Sequence, residues 1–293
     1  LSEHLFFLEG DFMKLRKERL ILFIIIMVQI VGMFFLFEYK KDDISVDEAW
    51  SYGLANSYYE PYIYQEDDYN TKNEKNIGEW LPGKTLQQYL TVSQDQRFSY
   101  GSVFYNQACD THPPFYYIIL HTICSLFPGK FTLWFGFIIN IITFIITEIY
   151  LFRLTKAVTK SSKAGLIACL FWGFTTNAVN NVLFIRMYSM LAMFAIMLAF
   201  YLEEWDRKDF ESGRKYLWKM GLVTLLGALT QHIFLMYAFV FTVLFCLRLL
   251  VKKKIKKMFL FGSVMLFSVG ISFAVFPATF HVETIVALHR TSS

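Results

Sequence analysis

The chain has 293 residues, of which 55% are hydrophobic and 19% aromatic, and its formal net charge is +4. Soluble domains average about 45–50% apolar residues, so this composition excludes an ordinary soluble domain. The sequence also lacks a glycine-rich phosphate loop, a Walker-type lysine motif and an HExxH helix, which argues against nucleotide-driven chemistry in this chain. We expect no nucleic-acid partner.

The first apolar block predicts a membrane anchor. LILFIIIMVQIVGMFFLF, residues 20–37, carries no charge, and at about 1.5 Å per residue it nearly spans a hydrocarbon core of roughly 30 Å. No small-residue cleavage site of a signal peptide is evident, which favours a retained span. Residues 1–19 are then a cytoplasmic segment, and because Met13 opens a basic stretch, residues 1–12 are expected to precede the native start.

Further apolar blocks predict six more spans, at 131–152, 164–184, 187–202, 217–230, 232–250 and 258–279. The apolar segment at 113–127 reaches only about 22 Å as a helix and is expected to lie along the outer interface. In that arrangement 19 of the 28 Lys and Arg residues face the cytoplasm, as the positive-inside rule requires. We therefore predict an all-α polytopic membrane protein over residues 20–279, with seven spans and a large external loop at 38–130 that contains interfacial helices.

Polar side chains collect at the outer level of these predicted spans. They come from segments far apart in sequence: Asp47 with Glu48, Asp110 with His112, Asn177 with Asn180 and Asn181, Arg186, and Gln231 with His232. Each has a structural alternative, because Arg186 can snorkel towards headgroups, His232 can be an ordinary interfacial histidine and Asp47 can belong to a solvated loop. Their common level favours a functional site. Glu148, inside the second span, is expected to pair with Arg153.

Four motifs resemble those of the GT-C glycosyltransferases, the class that contains protein O-mannosyltransferases and the aminoarabinose transferase of lipid A. DEAWSYG (47–53) resembles the Asp-Glu motif of their first external loop, and CDTHPPFYYIILH (109–121) is similar to their Asp-x-His-Pro-Pro signature. FIRMYSML (184–191) and LTQHIFLMY (229–237) resemble two further segments, and the four occur in the family's order. The resemblance implies a GT-C module, with seven spans and interfacial juxtamembrane helices.

The resemblance also implies roles for individual residues. Asp47 would act as the general base and Glu48 would orient it, while Arg186 and His232 would bind the donor phosphate. Asp110 and His112 would shape the pocket or hold a divalent cation, which some relatives use. Trp50 and Tyr52 are suited to stack on a sugar ring, although an interfacial aromatic belt would use the same residues.

The implied reaction is an inverting transfer of a sugar from a polyprenyl-phosphate donor to an acceptor hydroxyl of a glycan, a lipid or a protein. It would take place on the outer face of a bacterial plasma membrane, among membrane lipids. Because family members continue beyond the seventh span, the external segment at 280–293 is expected to be truncated. Two alternatives to a glycosyltransferase remain open: a lipid or glycan transporter, and an inactive membrane scaffold.

Overall fold

The computed structural model describes residues 2–41, 43–63, 65–66, 74–75, 80, 82–110 and 112–281. The predicted segment at 280–293 lies outside these residues from 282 onwards. Within them the chain is helical, apart from the antiparallel two-residue strands β1 (Gln65–Glu66) and β2 (Glu74–Lys75). The helices are α1 (Ser2–Lys40), α2 (Val46–Asn56), α3 (Gly83–Leu90), α4 (Tyr100–Asp110), α5 (Phe115–Leu126), α6 (Trp134–Thr159), α7 (Ser162–Gly173), α8 (Thr176–Leu183), α9 (Tyr188–Arg207), α10 (Gly213–Ala228), α11 (Ile233–Val251) and α12 (Ile255–Val275), followed by a 3-10 helix at Pro277–His281.

Four helical segments in the described residues are long and apolar enough to cross a membrane: Arg16–Tyr39 within α1, and the whole of α6, α11 and α12. Together, α7 and α8 meet the same criterion as a fifth, although they are bent by 60° at a short break. These segments coincide with five of the predicted spans. They support the prediction of a helical membrane protein.

The predicted spans at 187–202 and 217–230 correspond to α9 and α10, which are not among those helices. The α10 helix has only 16 residues, and α9 ends in a charged turn that includes Glu203, Glu204 and Arg207. Seven spans therefore stay a prediction. The last predicted span also ends early, at Val275, because a residue that precedes a proline, here Pro277, is pushed away from helical geometry.

The break between α7 and α8 has a local cause in the sequence. The α7 helix ends at Gly173, and two residues later the Thr175 side chain accepts a hydrogen bond from the Ala178 N–H. A cap of this kind starts a new helix, and it follows a glycine, which weakens the preceding one. The single helix predicted over 164–184 is therefore two helices.

The α6 helix is the most enclosed of the candidate spans, with 56% of its most apolar stretch buried, compared with 33% for α1 and 22% for each of α11 and α12. It packs mainly against α7 and α9, and α10 packs against α9 and α12. Phe137 and Phe144 of α6 are fully buried, whereas Phe239 of α11 and Phe267 of α12 are exposed. Helices that are apolar on their outer faces as well are typical of membrane spans.

The predicted external loop contains α2 to α5, which pack on one another. The α5 helix follows Pro113 and Pro114 and has 12 residues, so it is about 18 Å long. This length agrees with the interfacial helix predicted at 113–127. The loop between α8 and α9, residues 184–187, lies against the start of α2 through the contacts described next.

Candidate functional site

Asp47 and Glu48 occupy the first turn of α2, and their surroundings differ. The Ser45 hydroxyl accepts a hydrogen bond from the Glu48 N–H, and the Glu48 carboxylate accepts one from the Ser45 N–H. This capping box turns Glu48 inward, where it is 1% exposed, whereas the Asp47 side chain is 54% exposed. Of the two adjacent carboxylates, only that of Asp47 is accessible.

Glu48 joins three segments of the chain. Its Oε1 accepts a hydrogen bond from the Ile185 N–H at 2.8 Å and forms an ion pair with Lys41 Nζ. Lys41 Nζ also donates to the carbonyl of Leu183 at 2.9 Å. The C-terminal end of α1, the start of α2 and the loop 184–187 are thereby fixed together, which suits the predicted orienting role of Glu48.

Arg186 lies in the same loop, and its side chain is only 7% exposed. Its Nη1 donates to the backbone carbonyl of Asp47 at 3.2 Å and lies 3.9 Å from Asp47 Oδ1. Its Nε has no acceptor among the residues that the structure describes. Burial lowers the pKa of Arg186, but Tyr117 and Asp47 outweigh this effect and raise it above its ordinary value. The guanidinium is therefore a fixed positive charge.

Asp110, the last residue of α4, and His112, which precedes α5, complete this group. His112 Nδ1 lies 2.6 Å from Asp110 Oδ2, so the carboxylate accepts the Nδ1–H, and His112 Nε2 faces Arg186 Nη2 at 3.4 Å. A carboxylate on one ring nitrogen fixes both the tautomer and the orientation of the ring. The structure thus brings together four predicted residues, which we call the outer polar site after the level that the sequence predicts for them: Asp47, Asp110, His112 and Arg186.

His232 lies in the turn between α10 and α11. The Phe115 N–H donates to the carbonyl of Leu229 at 2.9 Å, so this turn is attached to the start of α5, close in sequence to His112. The Gln231 side chain accepts a hydrogen bond from the His232 N–H at 2.8 Å. The geometry places His232 beside the segment that carries the outer polar site, and its phosphate-binding role stays a prediction.

The two aromatic residues predicted to stack on a sugar are placed differently. Tyr52 is 0% exposed, and its hydroxyl donates to the Thr132 carbonyl at 2.8 Å and accepts from the Gly136 N–H at 3.0 Å. No face of the Tyr52 ring is therefore accessible to a sugar in this conformation, and its contacts are those of a core residue. Trp50 is half-buried and packs edge-on against Tyr62, with ring centroids 6.3 Å apart.

An open groove of about 530 Å³ lies beside the loop 184–187, and Phe184 of that loop lines it. Its polar lining comes from Lys41, Asn180 and Asn181, and its other lining residues are Leu36, Leu183, Phe184 and Tyr188. The sequence places the two asparagines at this level, whereas Lys41 is not among the predicted site residues. The signal available for Lys41 is its position directly after the apolar helix α1.

The sequence offers Asp110 and His112 as pocket residues or as ligands of a divalent cation. In the described part of the chain, no group of three or more His, Cys, Asp or Glu residues could hold a metal ion. Arg186 adds a fixed positive charge beside His112, which repels a cation and attracts an anion. A divalent cation at His112 would therefore face this guanidinium, and the mechanism proposed for the site uses no metal.

Comparisons with protein-family models, with curated proteins and with solved structures found no match to this chain. The features of the chain that bear on its function are therefore the four motifs, the outer polar site and the groove beside it.

Proposed function

We propose that the chain is an integral membrane glycosyltransferase of the GT-C type, which transfers a sugar from a polyprenyl-phosphate donor to an acceptor hydroxyl. The observation that carries the proposal is the pairing of an exposed carboxylate, Asp47, with a buried guanidinium, Arg186, that retains an unused donor among the described residues. Such a pair supplies a proton acceptor and an anion-binding group within one site.

Asp47 takes the proton of the acceptor hydroxyl in this mechanism. As the acceptor oxygen bonds to the anomeric carbon, the carbon–oxygen bond to phosphate breaks on the opposite face, and the configuration inverts. The proton passes to the exposed carboxylate of Asp47, and the electron pair leaves with the polyprenyl phosphate. General-base assistance of this kind contributes about 10²–10⁴-fold to a rate.

Arg186 stabilises the charge that develops on the leaving phosphate. A guanidinium is a planar fork of donors that matches phosphate oxygens, and a fixed charge in a poorly hydrated site needs no reorganisation during the reaction. His112, oriented by Asp110, holds the guanidinium from its other side. The groove beside the loop 184–187 combines Lys41 with apolar residues, which suits a lipid that carries a phosphate.

Release of free polyprenyl phosphate from a long-chain polyprenyl-phosphate sugar tests this proposal with the purified protein. We expect Asp47→Asn to reduce release by about 10²–10⁴-fold while the protein stays folded. Asp43→Asn is the matched control, because Asp43 is an exposed acid a few residues earlier in the chain, and its turnover should equal that of the wild type. Full turnover in Asp47→Asn would refute Asp47 as the base. If the protein binds the donor without any turnover, the alternative function, a lipid or glycan transporter, would be favoured.

The proposed topology has seven spans, including α9 and α10, with the outer polar site facing outward from a bacterial plasma membrane. A membrane-impermeant maleimide tests it in intact cells. Cys109 is an exposed free cysteine on α4 and should be labelled from outside. A cysteine introduced by Lys253→Cys into a Cys109→Ser background should be labelled only after permeabilisation. External labelling at position 253 would place the basic cluster outside and contradict the proposed orientation.

A further inference from the structure

Glu148 lies deep inside α6, away from the outer polar site. It is fourteen residues from Trp134 and eleven from Thr159, which places it about 21 Å and 16 Å from the two ends of the helix. The side chain is 0% exposed, and neither carboxylate oxygen has a hydrogen-bond partner in the described structure. Arg153, its partner in the sequence-based prediction, instead lies over the ring of Phe200, 4.5 Å from the centroid.

Gln29 of α1 reaches the same place and is 1% exposed. Its Nε2 donates to the carbonyl of Cys169 on α7 at 3.0 Å. Its Oε1 has no donor among the residues described. The Cys169 thiol in turn lies 3.4 Å from the backbone carbonyl of Glu148. Helices α1, α6 and α7 therefore meet around one buried polar pocket.

Gly173 at the end of α7 leaves space for the two side chains. A Cβ atom at this position would lie 2.3 Å from Gln29 Nε2 and 2.6 Å from Glu148 Oε1. Both distances are far below van der Waals contact, so any other residue would displace the amide and the carboxyl group. The two side chains consequently meet over this glycine, where an apolar side chain would otherwise fill the core.

The pocket contains three acceptor atoms that lack donors: Gln29 Oε1, Glu148 Oε1 and Glu148 Oε2. Cys169 is the one titratable side chain that α1 and α7 bring to it among the described contacts, and α1 contributes a neutral amide. An ionised carboxylate with no cation beside it is strongly unfavourable in an apolar interior. A proton on the carboxyl group removes the charge and supplies a donor at the same time.

We propose that Glu148 is an intramembrane proton-binding site, in which the protonated carboxyl group donates a hydrogen bond to Gln29 Oε1. Release of the proton would leave an uncompensated carboxylate beside Gln29, whose Nε2 is already bonded to the Cys169 carbonyl, and would loosen the contact between α1 and α6 at Gly173. Because α8 begins three residues after Gly173 and carries Asn180 and Asn181, proton binding would be coupled to the groove beside the loop 184–187.

Infrared spectroscopy of the purified protein tests the proposal without an activity assay. We expect a carboxylic-acid C=O band at neutral pH that moves in D₂O and is absent from Glu148→Gln. Gln29→Leu should retain the band at a higher frequency, because the hydrogen bond to the amide is lost. Glu204→Gln is the control, since Glu204 lies at the charged end of α9, and it should leave the band unchanged. Identical spectra for the wild type and Glu148→Gln would overturn the proposal.

A second measurement needs no variant. Dicyclohexylcarbodiimide reacts with protonated carboxyl groups in apolar surroundings, and mass spectrometry should locate its adduct on Glu148 in the wild-type protein. Addition of sodium ions should not change the yield. Protection by sodium would show that a metal cation occupies the pocket, and the absence of both the adduct and the infrared band would show that Glu148 is ionised. Either result would refute a proton site.

Discussion

The arginine residues at the two ends of the bundle differ in their burial and in their ion pairing. Arg248, at the end of α11, is exposed and donates through Nη2 and Nε to the same carboxylate, that of Asp206, at 3.0 and 3.3 Å. Arg186, at the other end, is buried, and its nearest carboxylate oxygen is 3.9 Å away. The first pair is complete within the protein, whereas the second guanidinium is desolvated and only partly compensated. A buried guanidinium whose Nε–H has no acceptor among the described residues is what the proposed phosphate contact requires.

Removing Glu48 should disrupt the outer arrangement most severely. Glu48→Ala leaves Lys41 without its ion-pair partner, the Ile185 N–H without its acceptor and α2 without its capping box. Because one partner of a buried ion pair is lost, we expect the free energy of unfolding to fall by about 3–5 kcal/mol. Chemical denaturation in detergent measures this quantity.

Asp47→Ala is the matched control for that experiment. It removes the adjacent carboxylate, which is more than half exposed, and should change the free energy of unfolding by less than about 0.5 kcal/mol. Equal losses in the two variants would show that Glu48 does not hold the segments together.

Arg186→Lys sharpens the comparison by keeping the charge and removing the planar fork. Hydrogen bonds to charged groups contribute about 1.5–3 kcal/mol, so on the proposed function the affinity for a polyprenyl phosphate should fall by about 10- to 100-fold. Calorimetric titration with a short-chain polyprenyl phosphate measures the change. Arg248→Lys should bind the ligand as the wild type does, and unchanged affinity in Arg186→Lys would argue against a forked phosphate contact.

The buried His121 of α5 should make the stability of the protein depend on pH. It is buried in α5 at 2% exposure, and burial lowers its pKa below the usual 6.5. The unfolded chain therefore takes up a proton first as the pH falls. The stability that the neutral imidazole contributes is complete above about pH 6.5 and is lost below it, by at most about 1.4 kcal/mol per pH unit, until the lowered pKa is passed.

Unfolding transitions measured at a series of pH values check this expectation. His121→Gln should flatten the dependence below pH 6.5, because glutamine takes up no proton. A wild-type curve that is already flat there would show that His121 takes up its proton as readily in the folded protein as in the unfolded chain.

Arg248→Ala should have the smallest effect of these changes. Exposed ion pairs contribute little to stability, and Lys252 also contacts Asp206, at 3.0 Å. We expect a melting temperature that is indistinguishable from that of the wild type. A marked decrease in melting temperature would show that the exposed ion pair of Arg248 also stabilises the fold, and the two ends of the bundle would then not differ in this respect.

Part of the outer polar site could be predicted from the sequence, because the ends of the apolar blocks place Asp47, Asp110, His112 and Arg186 at one level before any contact is known. The burial of Glu48 was also readable, since Ser45 and Glu48 have the spacing of a capping box. The break after Gly173 had a signal too, the cap at Thr175. Each of these is a local pattern with a specific structural meaning.

Other features could not be predicted, because long-range packing decides them. An aromatic residue such as Tyr52 suits a core, an interfacial belt or a sugar platform equally well, and only its contacts with Thr132 and Gly136 distinguish these. The approach of Gln29 to Glu148 depends on how α1 packs against α6. The sequence predicted an ion pair between Glu148 and the nearby Arg153, but the Arg153 side chain packs over the ring of Phe200.

The hydroxyl of Tyr52 lies between two groups that would bond to each other in a regular helix, since Gly136 is four residues after Thr132. The hydroxyl bridges these two groups at the start of α6: it accepts a hydrogen bond from the Gly136 N–H and donates one to the Thr132 carbonyl. The α2 helix, which carries Asp47, is thus hydrogen-bonded to the backbone at the start of α6. Tilting α2 against α6 would break both hydrogen bonds, so the pair opposes a change in the separation of the two helices.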